Sequence, residues 1–144
     1  MRVLVDADAC PVRHIIVRMA RRLSIPVVMI CDTSHELDDG YSKIVVVDKQ
    51  SDSVDFALMG MLASGDIVVT QDYGLAAMVL GKGAKAVNQN GMEYTNDNID
   101  RLLMERHLGS EIRRSGGRTR GPGKRVKKDD QLFEATFARL LADK

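Results

Sequence analysis

The chain has 144 residues, 44% hydrophobic and 28% charged, which is typical of one globular domain with its own core. No apolar run approaches the ~20 residues of a membrane span, and the N-terminus lacks a signal-peptide layout, so we expect a cytoplasmic protein without membrane partners. Aromatic residues make up only 4% and Trp is absent, which argues against the stacking platforms of single-strand binders.

The first part of the chain predicts three strands and one helix. A buried strand at 2–5 precedes Pro11, which fits the first position of a helix. The inward face of that helix is predicted to include Ile16 and Leu23. A strand at 26–31 follows, and after a polar loop another strand is expected at 43–47.

The middle of the chain continues this alternation. Ser51 or Ser53 can cap a helix that Gly65 ends. A fourth strand is expected at 67–70. A short helix at 73–80 comes next, before a fifth strand.

The last part of the chain is predicted to be mostly helical after the fifth strand at 84–87. Thr95 can cap one helix, and Asp129 or Asp130 a final helix whose inward residues include Leu132. Alternating strands and helices predict a single three-layer α/β domain over residues 1–144, with a mostly parallel central sheet of about five strands.

Four aspartates and one threonine are the candidate catalytic residues. Asp6 and Asp8 follow the first strand, Thr70 and Asp72 come at the end of the fourth, and Asp55 opens the helix between them. Reactive groups gather at the carboxyl ends of parallel strands, and carboxylates crowded there repel one another unless a cation neutralises them. We therefore predict that the four aspartates bind one or two Mg²⁺ or Mn²⁺ ions, and that Thr70 orients Asp72 or a water.

Each of these residues also has a purely structural interpretation. Asp8 and Asp72 lie where a helix cap is needed, and Asp55 lies where an exposed acid favours the helix dipole. Capping and metal binding are compatible, because a capping carboxylate keeps a second oxygen. The two carboxylates of Asp6 and Asp8 are more than a cap requires.

A basic, Gly-rich loop is predicted at about 113–128, and it contains no acidic residue. The rest of the chain has 13 basic residues against 20 acidic ones, so the body is acidic. This uneven charge favours a segment that contacts the phosphates of RNA or another nucleic acid, although a solubilising loop is the alternative. The predicted contacts are Arg113, Arg114, Arg118, Arg120, Lys124, Arg125, Lys127 and Lys128.

Cysteines and histidines give weaker signals. Cys10 and Cys31 each follow a predicted strand, and a reducing cytosol favours free thiols over a disulfide. His14, His35 and His107 show no metal-ligand spacing, so none is assigned to a site.

Three strings of the sequence resemble the YaiI/YqxD family, a bacterial group of unknown function. They are Val5-Asp6-Ala7-Asp8-Ala9-Cys10-Pro11-Val12, Val54-Asp55, and the run from Gly65 to Ala76, and the likeness covers almost the whole chain. That family in turn resembles PIN-like nuclease domains more distantly.

The PIN-like resemblance implies both a fold and a site. In those domains an Asp ends the first strand, an acid opens a middle helix, and Thr-x-Asp follows the fourth strand. Asp6, Asp55 and Thr70-x-Asp72 match these positions. The resemblance implies a domain that binds Mg²⁺ or Mn²⁺ and cuts RNA.

The leading prediction is therefore a metal-dependent ribonuclease-type hydrolase that cleaves RNA phosphodiesters. One alternative is a non-catalytic RNA-binding or ribosome-associated protein, which the basic loop would serve. Another is a haloacid-dehalogenase-type phosphatase, because Asp6-Ala7-Asp8 mimics its nucleophile strand. Against the phosphatase, Cys10 stands where that chemistry needs Thr or Val, and Asp66 precedes a strand rather than following it.

Overall fold

The computed structural model describes residues 1–116 and 123–143, in which strands and helices largely alternate. The strands are β1 (Val3–Asp6), β2 (Val27–Asp32), β3 (Lys43–Val47), β4 (Ile67–Val69), β5 (Lys85–Val87) and β6 (Glu93–Tyr94). The helices are α1 (Arg13–Arg22), α2 (Ser53–Met61), α3 (Tyr73–Gly81), α4 (Asn96–Arg114) and α5 (Lys127–Ala142). No helix in these ranges is long and apolar enough to cross a bilayer.

All six strands belong to one sheet in the order β3-β2-β1-β4-β5-β6. The first five are parallel and β6 is antiparallel to β5, which confirms the predicted α/β class with a mostly parallel sheet. The sequence did not indicate β6, because a strand of two residues, Glu93 and Tyr94, is too short to show an alternating pattern.

The strands that follow β1 lie first on one side of it and then on the other. The chain runs outward from β1 to β2 and β3, and α2 then carries it back to β4 on the other side of β1. Neighbouring loops diverge at such a switch point, and a crevice forms outside the carboxyl ends of the strands. The crevice expected here lies between the ends of β1 and β4.

Helices cover both faces of the sheet and give the three layers. Val3 and Val5 of β1 pack in the core beneath α1 and α5, whereas Leu4 packs in the core beneath α2, α3 and α4. Strands buried on both faces are continuous apolar runs rather than alternating ones, as β1, β2 and β4 are here. The architecture is consistent with a three-layer PIN-like domain.

Several predicted helix ends differ from those observed. Pro11 lies in a turn and α1 begins at Arg13, while Leu23 is 57% exposed because it follows the last helical residue. Asp52, rather than Ser51 or Ser53, precedes α2. These shifts of one or two residues are typical, because helix ends depend on local contacts as well as on capping residues.

Thr95 caps α4 as predicted, whereas the prediction that Asp129 or Asp130 caps α5 was wrong, because Val126 is the N-cap and both acids lie in the first turn. Thr95 Oγ1 accepts the Asn98 N–H at 3.3 Å, and Asn98 Oδ1 accepts the Thr95 N–H at 2.9 Å. At α5, Asp129 Oδ2 accepts the Val126 N–H at 2.9 Å from within the first turn. Leu132 was wrongly assigned to the core: it is 48% exposed, since it lies about 100° around the helix from buried Phe133.

Gly91 is the glycine whose replacement we expect to be most costly. Its φ is +83°, and a Cβ there would lie 2.4 Å from the Leu132 carbonyl oxygen. We predict that Gly91→Ala lowers the free energy of unfolding by about 3 kcal/mol, from left-handed strain plus a backbone clash. The control is Gly40→Ala, which has a φ of +74° but open space and should cost about 1 kcal/mol. Urea unfolding measures both, and equal losses would contradict the clash.

Candidate active site

A cleft of about 300 Å³ opens at the carboxyl ends of β1 and β4, where the switch point predicts one. Three predicted acids line it, two from the β1 side and one from the β4 side. Its lining residues are Asp6, Asp8, Ala9, Gln71, Asp72, Tyr73 and Arg106. The tertiary structure thus brings together two acidic segments that are more than 60 residues apart in sequence.

Thr70 links the two sides of the cleft. Its side chain is buried, and its Oγ1 donates to Asp6 Oδ2 at 2.8 Å while accepting the Asp72 N–H at 3.0 Å. We predicted that Thr70 would orient Asp72 or a water. The Thr70 hydroxyl contacts the backbone of Asp72, and the side chain that it bonds is that of Asp6. In the described part of the chain Asp6 Oδ1 accepts no hydrogen bond, and Asp6 lines the cleft.

Asp72 caps α3 and also lines the cleft. The sequence allowed both, because a capping carboxylate keeps a second oxygen. Asp72 Oδ1 accepts the Gly74 and Leu75 N–H groups at 2.8 and 3.2 Å and lies 3.2 Å from Arg106 Nη1. All of these contacts use one oxygen. Within the described ranges Oδ2 accepts no hydrogen bond, which leaves it available to a ligand.

The crowding of carboxylates is strongest at Asp6. Burial raises the pKa of its carboxyl group from 3.8 to about 6, against the opposing effect of the Thr70 hydrogen bond. The charges of Asp55, Asp72 and Asp8 raise this pKa further. The ionised form of Asp6 is therefore one that a bound cation would stabilise.

Asp55 lies beside the cleft rather than in its lining. It is in the first turn of α2 and borders a mostly apolar cavity. Burial raises its pKa, and the charges of Asp72 and Asp52 add to the increase while Arg106 opposes it. Asp55 thus interacts electrostatically with the cleft acids, and its predicted role as a metal ligand remains a prediction.

Asp8 faces a second group of polar side chains. It accepts the Asp32 N–H at 3.2 Å, and its Oδ1 lies 2.7 Å from His35 Nδ1. One ligand atom from each of Asp8, Asp32 and His35 lies within 4.8 Å of the others, a spacing at which the three could share a metal ion. His35 was left out of the predicted site, and the structure places it against a predicted ligand.

Sequence patterns missed four residues of this region. Arg106 had a detectable signal, because it is a cation on the same face of α4 as buried Ile99 and Leu102. Gln71, which donates to the Ala9 carbonyl at 3.0 Å, had none. Asp32 ends β2 and His35 is three positions further along the chain, a spacing that is informative only once the strand end is known.

The two cysteines are free, as predicted, and both are buried. Burial raises the pKa of the Cys10 thiol above its ordinary value, and the pKa of Cys31 is raised for the same reason. Both thiols are therefore protonated near neutral pH, and neither has the lowered pKa of a cysteine nucleophile.

The predicted basic loop is partly helical. Arg113 and Arg114 are in the last turn of α4, where Arg114 is 3.5 Å from Glu111, and Lys127 and Lys128 are in the first turn of α5. Lys124 is exposed between the helices. The predicted contacts Arg118 and Arg120 lie outside the described residues.

Arg125 has structural partners. Its guanidinium donates to Asp130 Oδ1 at 2.7 and 2.9 Å, to Asn90 Oδ1 at 2.7 Å and to the Gln89 carbonyl at 2.8 Å. These bonds attach the start of α5 to the turn between β5 and β6. A phosphate contact by Arg125 would have to replace them, so it is the weakest of the predicted RNA-binding residues.

Comparison with known proteins identifies the relatives of this chain. A family model described as "Uncharacterized BCR, YaiI/YqxD family" matches residues 4–143. A UPF0178 protein of Ruminiclostridium cellulolyticum is 63% identical over 134 residues, which are 93% of this chain and 88% of that protein. A UPF0178 protein of Clostridium acetobutylicum is 52% identical over 98% of this chain and 97% of its own length. No solved structure matches the chain.

The raised pKa of Asp6 predicts a pH-dependent stability without metal. Since the folded state binds this proton more tightly, Asp6 favours folding at low pH, and that contribution is lost as pH rises from about 4 to about 6. Between pH 4.5 and 7.5, wild type should lose about 2 kcal/mol of stability relative to Asp6→Asn.

Urea unfolding in EDTA at the two pH values checks this prediction. Asp100→Asn is the matched control, because Asp100 is exposed on α4 and does not line the cleft. If the difference in free energy of unfolding between wild type and Asp6→Asn is the same at both pH values, the pKa of Asp6 is not raised.

Proposed function

The chain belongs to the YaiI/YqxD family, and we propose that it is a nuclease that hydrolyses RNA phosphodiesters with bound Mg²⁺ or Mn²⁺. The observation that carries the proposal is the pair Asp6 and Asp72, which Thr70 joins across the switch point. Each keeps one carboxylate oxygen without a hydrogen bond in the described chain. Half-buried carboxylates that lie close together are costly without a cation and can bind one.

The donor set fits a hard divalent ion. Asp6, Asp8 and Asp72 present carboxylate oxygens to one cleft, with the charge of Asp55 nearby. Oxygen ligands suit both Mg²⁺ and Mn²⁺. If Asp8 shares an ion with Asp32 and His35, the imidazole nitrogen favours Mn²⁺, because Mg²⁺ rarely accepts nitrogen ligands.

Each cleft residue has a distinct task in this proposal. When bound, the metal supplies an activated water and compensates the negative charge that develops on the phosphate. Thr70 is a positioning residue, because its O–H fixes Asp6 Oδ2 and so directs the opposite oxygen. Arg106 supplies a half-exposed guanidinium at the edge of the cleft, where it can exchange Asp72 for a phosphate oxygen.

The helix α4 offers a path for the RNA backbone. Arg106 and Arg113 are seven residues apart, so they lie on the same face of the helix at about 10 Å along its axis. The face thus runs from the cleft toward Arg113 at the end of α4. Cations at both ends would help an otherwise acidic body to hold RNA.

The alternatives predict different outcomes. A non-catalytic RNA-binding protein is favoured by the Arg106–Asp72 ion pair, which already neutralises part of the cleft. A phosphatase is less well supported. Asp66 lies just before the amino end of β4, where its Oδ1 accepts the Arg2 N–H at 3.0 Å. Asp6 lies at the carboxyl end of the parallel strand β1, so the two acids are at opposite ends of the strands.

Cleavage of RNA tests the proposal. We predict that wild type cleaves total cellular RNA with Mn²⁺ and not with EDTA, and that Asp6→Asn lowers the rate by about 100-fold or more. Thr70→Val should cost about 10- to 100-fold, because it removes only the hydrogen bond that orients Asp6. Gel electrophoresis of labelled RNA measures the rates.

The controls separate the three functions. Asp100→Asn should cleave at the wild-type rate. RNA binding by wild type with no cleavage at millimolar Mn²⁺ would identify a non-catalytic binding protein, and a phosphorylated Asp6 trapped with a phosphate monoester would identify a phosphatase.

The basic segment should determine the salt dependence of binding. We predict that changing Arg118, Arg120, Lys124 and Lys127 to Ala flattens the log–log slope of affinity against salt by about three units, at about 0.7 for each lost phosphate contact. Affinity should fall alike for all RNA sequences, because phosphate contacts carry no sequence information. Filter binding across a salt series measures the slope.

The matched control changes four exposed cations elsewhere, Arg21, Arg22, Lys43 and Lys49, to Ala. That variant carries the same change in net charge and should keep the wild-type slope. If the two variants change the slope equally, net charge rather than the basic segment binds the RNA.

A further inference from the structure

Phe56 is unlike the other aromatic residues of this chain. All six lie in the described ranges, and five are buried or half-buried, whereas Phe56 is 77% exposed. It follows Asp55 directly in α2. A single exposed apolar side chain is common, so its exposure alone carries no conclusion. Its surroundings are more informative.

Phe56 borders a cavity of about 410 Å³ that residues of α2 and α3 line. The cavity is mostly apolar, since Met59 of α2 and Met78 of α3 also line it, and Asp52 and Asp55 complete the lining. Helices α2 and α3 pack against each other, and α3 reaches both sites: Tyr73 at its start lines the cleft, and Met78 further along lines the cavity. A ligand that extends from the cleft along α3 would reach the apolar cavity.

The chemistry of the cavity matches one part of a nucleotide. A flat aromatic ring and two thioethers form a surface on which a planar base can stack. Asp52 precedes α2 without a side-chain capping bond, so its carboxylate is available as an acceptor. The available acceptor suits a base with an amino group, such as cytosine, better than uracil, which has none.

We propose that this cavity binds one nucleobase of the RNA whose phosphate lies in the acidic cleft. The base stacks on Phe56, and Asp52 accepts a hydrogen bond from its amino group. The inference rests on the proposed function for the identity of the ligand. It adds to that function a site that selects among bases, although the sequence had argued against rows of stacking aromatic residues.

Binding of short single-stranded RNA tests the site without requiring cleavage. With Asp6→Asn as the background, Phe56→Leu should weaken binding of a fluorescein-labelled oligocytidine by about tenfold. Phe56→Trp should preserve the affinity, because it keeps a stacking surface. Met104→Ala, which truncates an exposed apolar residue of α4 outside the cavity lining, should leave the affinity unchanged. Fluorescence polarisation gives the dissociation constants.

A double-mutant cycle identifies the contact. A set of oligocytidines is prepared in which a different position of each is abasic. For one member of the set, Phe56→Leu should leave the affinity unchanged, because the base that stacks on Phe56 is already missing. Asp52→Asn should reduce the preference for oligocytidine over oligouridine. If Phe56→Leu binds every oligonucleotide as the background does, the base site is wrong and the nuclease proposal stands.

The remaining outcomes are also decisive. If Phe56→Leu weakens binding but wild type does not cleave RNA, the base site stands and the nuclease proposal fails. Absence of RNA binding by all variants overturns both. A change in sedimentation mass on Phe56→Leu, with unchanged RNA affinity, would show that Phe56 contacts a second copy of the chain instead.

Discussion

The burial of Asp6 beside other carboxylates at the switch point of the sheet is the constraint on which the site depends. Asp6 ends a strand whose three preceding residues are wholly buried, so its carboxyl group cannot move far from the other acids. Burial and three neighbouring charges raise its pKa to about 6. A fold tolerates such a cost when the rest of the structure determines the position of the group, as the buried parallel strands do here.

The surrounding residues reduce that cost without removing it. Thr70 donates to one oxygen of Asp6, the N-terminus of α3 and Arg106 stabilise one oxygen of Asp72, and His35 contacts Asp8. Each acid is thereby held in place while part of its charge remains uncompensated. The same partial compensation makes the cleft suited to a cation, and the proposed nuclease function follows from it.

Much of the fold could be predicted from local patterns. Apolar runs located the five parallel strands to within about a residue, and β3 at 43–47 was predicted with its observed ends. Errors fell where a local pattern is ambiguous: at the start of α1, at Leu132 on the border of a buried face, and at the two-residue β6. The ends of the predicted basic loop were also wrong, because Arg113 and Arg114 belong to α4, and Lys127 and Lys128 belong to α5; a charged helix end resembles a basic loop in sequence.

The sequence by itself identified four of the residues that carry the candidate chemistry, because strand ends and helix starts are local features. Asp6, Asp8, Thr70 and Asp72 were identified in this way. Only the tertiary structure decided their contacts: that Thr70 bonds Asp6, that Asp8 also faces His35, and that Arg106 reaches Asp72 from a helix 34 residues further along the chain. These contacts depend on strand order and helix packing, which bring distant segments together through burial of apolar surface and leave no trace in local spacing.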